Sequence, residues 1–224
     1  RHVDGVLFAR PSTEQESDHI VRLIQQEVPL VTTAYHGTNR QWTVVDVDNV
    51  EGGCQATRCL IEAGHDQIGM IGGPPGWKSV HDRREGYRQA LASAGLPFNP
   101  AYLVYGDWSH RSGYEAMQRL LRQAPHLTAA FVQNDRMAIG AMRALREAGR
   151  RIPDDFSVVG YDDVPEAAYS APPLTTIRQP MQEVGQIATR LLIQAIDHPD
   201  VEKKEVLLKP ELVRRESCVS RRGE

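Results

Sequence analysis

The chain has 224 residues, of which 41% are hydrophobic and 25% charged, and its formal net charge at pH 7 is −3. These values are typical of a globular protein with enough apolar residues for one large domain or two small ones. The weak negative charge gives no general attraction to nucleic acid, and no apolar run reaches the roughly 18 residues of a membrane span.

Short apolar runs alternate with amphipathic segments along the chain, with no low-complexity linker and no repeat of fixed period. In chain order the pattern predicts strands at 3–9, 28–34, 42–47, 67–73, 101–106, 128–133, 156–161 and 174–179, with one or two more within 205–217. It predicts helices at 13–27, 49–64, 79–95, 110–123, 134–149 and 180–197. This alternation favours an α/β fold in which helices cover both faces of parallel sheets.

Ligands of such folds bind beyond the carboxyl ends of the strands, so the residues after each strand are the candidates for a site. These positions hold aromatic rings, carboxylates, amides and a hydroxyl: Trp77, Ser79, Trp108, Asn134, Asp135, Tyr161, Asp162, Asp163 and Gln179. Arg83 lies one turn into the helix predicted to begin at the serine, so it can reach back over the same edge. Planar rings beside groups that make paired hydrogen bonds suit a polyhydroxylated ligand.

Several candidates have a structural alternative. Asn134 and Asp135 stand at a strand-to-helix junction, where such residues often only cap the helix. Of the adjacent acids, Asp163 favours a turn role and Asp162 the ligand role. The two tryptophans can serve as packing residues, and Arg83 can be a solvated charge on its helix.

Enzymatic functions find less support in the sequence. Adjacent acids rarely face one reaction centre, and His81 and His110 lack the converging ligands of a metal site. The run GGPPG lacks the spacing of dinucleotide-binding and P-loop motifs, and no G-x-S-x-G nucleophile motif occurs. We predict no catalytic residue, no metal and no cofactor.

The three cysteines are Cys54, Cys59 and Cys218. Their spacing matches no common zinc or redox motif, so we expect reduced thiols and a cytoplasmic protein. The run RHVDGVLF leads directly into a strand, which favours this chain being the downstream part of a longer protein.

Four runs resemble the effector-binding core of the lac-repressor (LacI/GalR) family. They are QNDRMAIGAMRALREAG at 133–149, DDFSVVGYDD at 154–163, PPLTTIRQP at 172–180 and LVRRES at 212–217. The resemblance implies two Rossmann-like parallel-sheet subdomains of periplasmic-binding-protein type I that face each other across an effector cleft.

The same resemblance implies the domain boundaries. Residues 1–48 plus 178–207 would form the N-terminal subdomain, without its first two strand–helix units. Residues 49–177 plus 208–217 would form the C-terminal subdomain. The family's DNA-binding helix-turn-helix is absent from this chain.

The resemblance further implies a sugar-responsive transcriptional repressor. Its effector contacts would fall on Trp77, Ser79, Arg83, Trp108, Asn134, Tyr161, Asp162 and Gln179. Arg83 would be the arginine of the family's S-x-x-x-R-x-x-G-[YW] motif that binds effector hydroxyls. The chain departs from the family at Ala34, where members often carry an aspartate, and Tyr35 or His36 can replace that residue.

The implied partners are a mono- or disaccharide effector, operator DNA through the missing N-terminal domain, and a second copy of the chain. The dimer interface would include Ile139 and Met142, which share one face of their helix, and Tyr169. The alternative is that this face packs only on its own sheet. An alternative function is sugar binding in a periplasmic uptake system, which residues before Arg1 would reveal by a signal peptide.

Overall fold

The computed structural model describes residues 3–9, 22–23, 26–33 and 42–219. Most of the helix predicted at 13–27, and all of Ala34, Tyr35 and His36, lie outside the described residues. In chain order the elements are β1 (Val6–Ala9), β2 (Leu30–Thr33), β3 (Thr43–Val47), α1 (Asn49–Glu62), β4 (Ile68–Gly72), α2 (Lys78–Ser93), β5 (Leu103–Tyr105), α3 (His110–Gln123), β6 (Ala129–Val132), α4 (Asp135–Glu147), β7 (Ser157–Val159), α5 (Pro165–Tyr169), β8 (Thr176–Arg178), α6 (Met181–Asp197), β9 (Glu205–Leu208) and β10 (Glu211–Val213).

The chain forms two compact units. The first comprises Arg1–Asp48, Gly76–Ser79 and Pro180–Lys209. The second comprises Asn49–Pro75, Val80–Gln179 and Pro210–Glu224. Each unit contains its own four-stranded parallel sheet, so the predicted α/β fold class is confirmed.

The first unit is built on the strand order β1-β2-β3-β9. Val31 and Val45, from the two middle strands, are fully buried and pack with Val184 and Ala188 of α6. On its other side, Trp42 is buried against Leu30 and Val44, and the indole Nε1 donates a hydrogen bond to Thr32 Oγ1 at 3.0 Å. The apolar strand pattern is therefore explained by burial.

The second unit has the strand order β5-β4-β6-β7. All residues of β4, β6 and β7 are buried, as expected for parallel strands covered on both faces. Two apolar clusters lie in this unit: one includes residues of α3 and α4, and the other residues of α1 and α2.

Glycine allows two helix pairs in this unit to approach closely. A Cβ at Gly86 of α2 would collide with the backbone carbonyl of Val50 on α1. A Cβ at Gly140 of α4 would collide in the same way with the carbonyl of His110 on α3. Any larger residue at these positions would separate the helices.

The structure differs from the sequence-based prediction at three elements. The strand expected at 101–106 begins only at Leu103, because Asn99 caps a short 3-10 helix at Pro100–Tyr102 through a bond to the Ala101 amide of 3.0 Å. The short helix α5 was not predicted. The final strand β10 is antiparallel to β8, whereas only parallel pairing was expected. No helix in the described part of the chain is long and apolar enough to cross a membrane.

Candidate functional site

Arg83, on α2, is a buried cation fixed by three contacts within the second unit. It is only 6% exposed. Its Nε donates to Asn49 Oδ1 at 2.8 Å, and its Nη1 donates to the Gln133 carbonyl oxygen at 2.6 Å. The guanidinium carbon stands 3.6 Å from the Tyr161 ring centroid, a cation–π distance. Arg83 is therefore not the solvated surface charge that its sequence neighbours allowed.

Tyr161 supports the guanidinium from a fully buried position, with 0% of its surface exposed. Its hydroxyl donates to Asn49 Oδ1 at 3.3 Å, the same oxygen that accepts from Arg83. A Cβ at Gly52 would collide with this hydroxyl, so α1 needs glycine there. Because Tyr161 is enclosed, its side chain positions Arg83 and has no exposed surface of its own for the effector contact that the sequence predicted.

Asn134 both caps α4 and holds the loop that carries Trp108. Its Oδ1 accepts from the Met137 amide at 2.9 Å, and its Nδ2 donates to the Trp108 carbonyl oxygen at 3.0 Å. The capping role weighed for Asn134 is thus present.

Trp108 is half-buried and has a positive φ of 74°, a sparsely populated conformation for a bulky residue. Its ring centroid lies 6.0 Å from the Arg83 guanidinium carbon. A Cβ at Gly73 would collide with the indole, so the glycine after β4 provides the space for this ring.

Asp162 and Asp163 follow β7 with positive φ angles of 115° and 57°. In this backbone conformation the two adjacent side chains point to different hydrogen-bond partners. Asp162 Oδ1 accepts from Gln179 Nε2 at 2.7 Å. Burial raises the pKa of Asp162 above its ordinary value, although the Arg83 guanidinium and the Gln179 amide favour the charged form.

Asp163 instead accepts from Arg215 Nη2 at 2.6 Å and from Arg178 Nε at 2.7 Å. Burial alone would raise the pKa of Asp163, but these two hydrogen bonds outweigh burial and hold the pKa below its usual value. Asp163 joins the turn to β8 and to the segment after β10, in agreement with its expected structural role.

Asp135 is a fully buried carboxyl group with hydroxyl and amide partners. Its Oδ1 accepts from Thr176 Oγ1 at 2.5 Å, and its Oδ2 accepts from the Val164 amide at 2.9 Å. Burial raises the pKa of Asp135 to about 7. The side chain thus ties α4 to β8 and to the loop that carries the two acids, and it does not cap the helix.

Six of the predicted site residues belong to the second unit. Trp77 and Ser79 belong to the first unit and are half-buried. The sequence predicted that this helix begins at Ser79, but α2 begins at Lys78, so Ser79 lies inside the first helical turn.

Sequence reasoning missed Asn49 and Gln133, which fix Arg83. Asn49 was treated only as the start of a helix, and Gln133 was passed over beside Asn134. Their positions could have marked them as candidates, because Asn49 begins a predicted helix and Gln133 ends a predicted strand. Among the described residues, no group of three or more His, Cys, Asp or Glu side chains is placed to hold a metal ion.

The three predicted interface residues differ in exposure. Ile139 is half-buried, Met142 is 1% exposed, and Tyr169 is 89% exposed at the end of α5. Met142 packs inside the apolar cluster of α3 and α4. A partner could therefore contact Tyr169 directly, but not the side chain of Met142.

The two parallel sheets, each with its own helices, have the architecture of the periplasmic-binding-protein-like fold. A family model described as "Periplasmic binding protein-like domain" matches residues 57–218. A solved CelR–cellobiose complex is 39% identical, with a TM-score of 0.89 over 96% of this chain and 66% of that one. A LacI-family regulator from Enterococcus faecium, solved with bound ribose, is 32% identical, with a TM-score of 0.85 over 98% of this chain and 81% of that one.

The HTH-type transcriptional repressor PurR of Haemophilus influenzae (strain PittEE) is 37% identical over 98% of this chain and 66% of the relative. The chain belongs to the LacI family and matches the effector-binding core of its regulators. It spans 64 to 66% of the length of the first curated relatives that it matches.

Proposed function

We propose that this chain is the effector-binding core of a sugar-responsive transcriptional repressor and that Arg83 and Asp162 bind the effector's hydroxyl groups. The observation that carries the proposal is a buried guanidinium without a carboxylate partner. Arg83 forms no ion pair with any described residue, although it is 6% exposed. The Asp162 carboxyl group interacts with this charge but forms no ion pair with it, so a ligand that accepts the remaining hydrogen bonds of Arg83 would lower the cost of burying the charge.

The hydrogen-bonding capacity left on the two side chains supports a hydroxyl-rich ligand. Arg83 uses Nε and Nη1, while its Nη2 donates to no described residue. Asp162 uses Oδ1, while its Oδ2 accepts from no described residue. A donor and an acceptor of opposite charge suit neighbouring hydroxyls, since each hydroxyl both donates and accepts.

Trp108 supports a ligand with a flat face. Its indole lies near Arg83, held by the bond from Asn134 to its backbone. Both a sugar C–H face and a planar heterocycle can stack on an indole. The Arg83–Asp162 pair favours the sugar, and the relatives solved with cellobiose and ribose are consistent with this choice.

The remaining parts of the proposal concern the whole protein. The first unit corresponds to an N-terminal subdomain and the second to a C-terminal one. Operator DNA binds through a domain outside this chain, and the protein is a homodimer with Ile139 and Tyr169 at the interface. The relatives described above are transcriptional regulators, which favours regulation over periplasmic uptake.

Calorimetric titration of the full-length protein tests the ligand class. The panel contains cellobiose, simple β-glucosides and β-galactosides, ribose and purine bases. We expect saturable binding of at least one sugar and a marked loss of that binding in Asp162→Asn, which keeps the side-chain shape but removes the charge. Saturable binding of a purine base with no sugar bound would overturn the sugar assignment.

Operator release provides the functional readout. The sugar that binds in calorimetry should change the affinity of the full-length protein for DNA of its own promoter region, because an effector must bind the two states unequally. A sugar that binds tightly and leaves DNA affinity unchanged would instead indicate transport or storage.

A further inference from the structure

Two cysteines far apart in the sequence meet inside the second unit. Cys59, in the last half of α1, and Cys218, after β10, have their Sγ atoms 3.8 Å apart. Both are free thiols, 1% and 8% exposed. They are 159 residues apart in the sequence, so no local spacing motif relates them.

The surroundings give the two sulfurs different roles. Arg214 Nη1 lies 3.5 Å from Cys59 Sγ, while its Nη2 is paired with Glu62 at 2.8 Å. The hydrogen bond with the Cys218 side chain and then the Arg214 charge lower the pKa of Cys59, against the effect of burial. Its neighbour Cys59 and burial raise the pKa of Cys218. Since the thiolate is the reactive form, the adjacent Arg214 guanidinium favours Cys59 as the nucleophile and Cys218 as the second thiol.

The two sulfurs must come closer before they can form a disulfide. A disulfide requires about 2.05 Å between its sulfurs, less than the present separation. Cys59 lies within a helix, and the residue before Cys218 is anchored, since Ser217 Oγ donates to the Val158 carbonyl oxygen at 2.6 Å and accepts from the Thr175 amide at 2.8 Å. Closing the gap therefore requires rotation of the two cysteine side chains together with a shift confined to the residues near Cys218.

We propose that Cys59 and Cys218 form a dithiol that a hydroperoxide oxidises to an intramolecular disulfide. The Cys59 thiolate attacks one peroxide oxygen, the O–O bond breaks, and the second oxygen leaves and is protonated to water. Cys59 is then a sulfenic acid. The Cys218 sulfur attacks the Cys59 sulfur, the S–O bond breaks, and the departing hydroxide takes the Cys218 proton as water. Two thiols and one hydrogen peroxide thus give one disulfide and two waters.

Cys54 provides an internal control on the same helix. It is a half-buried free thiol, and its Sγ accepts from Arg58 Nη2 at 3.0 Å. No second sulfur within the described residues pairs with it. Exposure alone predicts that Cys54 oxidises first, whereas the proposed dithiol predicts that Cys59 and Cys218 are lost together.

Trypsin separates the three cysteines because basic residues flank them. Cleavage after Arg58, Lys78 and Arg215 places Cys54 in peptide 41–58, Cys59 in peptide 59–78 and Cys218 in peptide 216–221. The full-length protein is reduced, freed of reductant, treated with hydrogen peroxide, alkylated under denaturing conditions and digested. We expect a cross-linked product of peptides 59–78 and 216–221, reversed by a thiol reductant, and a thiol count lower by two.

Three variants test the roles. Cys54→Ser should leave the cross-link unchanged. Cys218→Ser should stop the reaction at the Cys59 sulfenic acid, which a 1,3-diketone traps. Arg214→Gln should slow oxidation by about threefold, a small change because this guanidinium is largely exposed.

Other outcomes would overturn the proposal. They are oxidation of Cys59 to sulfinic acid while Cys218 stays free, cross-linking through Cys54, or thiols unchanged by peroxide in folded protein. Circular dichroism identifies any variant that fails to fold, and the wild-type peptide map decides the proposal without the variants.

Discussion

Replacement of Arg83 should weaken effector binding strongly, because its guanidinium is positioned by contacts that no other side chain can reproduce. Its Nε and Nη1 are fixed by Asn49 Oδ1 and the Gln133 carbonyl at 2.8 and 2.6 Å. Arg83→Ala removes the charged donor to the ligand, and one charge-assisted hydrogen bond contributes about 1.5–3 kcal/mol. The effector dissociation constant should therefore rise by a factor of about 10 to 150.

The neighbouring Arg84 supplies the matched control. Its Nη1 donates to the Tyr105 hydroxyl at 3.3 Å, and its Nη2 is 3.1 Å from His81 Nδ1. Arg84→Ala removes the same charge from the same helix without touching the guanidinium of Arg83. Its effector affinity should stay within about twofold of wild type, since a partly exposed charge outside the site contributes little.

Calorimetric titration with the sugar identified for the wild type measures both variants, and thermal unfolding verifies that each is folded. A third variant, Arg83→Lys, keeps the charge but loses the planar fork, so it should also bind more weakly than wild type. Operator affinity should be unchanged in Arg83→Ala, because the side chain is buried and cannot reach phosphates. Equal sugar affinities in wild type and a folded Arg83→Ala protein would refute the reasoning.

Three further outcomes are expected. Burial raises the pKa of Asp135 to about 7, so this carboxyl group binds its proton more tightly in the folded protein than in the unfolded chain. The stabilisation that the protonated group provides is therefore lost as pH rises from about 4 through 7. Urea unfolding should show that Asp135→Asn removes roughly 4 kcal/mol of pH dependence in that window, and identical pH profiles of the two proteins would contradict this. Sedimentation should show a weaker dimer for Ile139→Asp or Tyr169→Ser. The control Ile193→Asp, which replaces an exposed isoleucine of α6, should leave the dimer unchanged. A monomeric wild type at micromolar concentration would exclude the interface. The isolated chain, with a net charge of −3, should give no salt-sensitive, sequence-dependent shift of operator DNA in a gel assay, and such a shift would count against a separate DNA-binding domain.

The sequence alone determined the alternation of elements and their approximate bounds. The helix predicted at 110–123 has these bounds in the structure, and the helix predicted at 49–64 ends two residues earlier, at Glu62. Helical periodicity, caps and terminal glycines depend only on neighbouring residues, so they can be recognised in a single sequence. The strand-end rule also identified Arg83 and Asp162 as candidates, because parallel strands place their carboxyl ends at one edge.

Only the tertiary structure decided which partners these residues have. Asn49 is 34 residues from Arg83 and 112 from Tyr161, yet its one oxygen accepts hydrogen bonds from both. The enclosure of Met142 and the meeting of Cys59 with Cys218 likewise depend on packing between distant segments. Periodicity reports which face of a helix is apolar, but not which segment covers that face. Burial and partner choice therefore emerge only when the chain is folded.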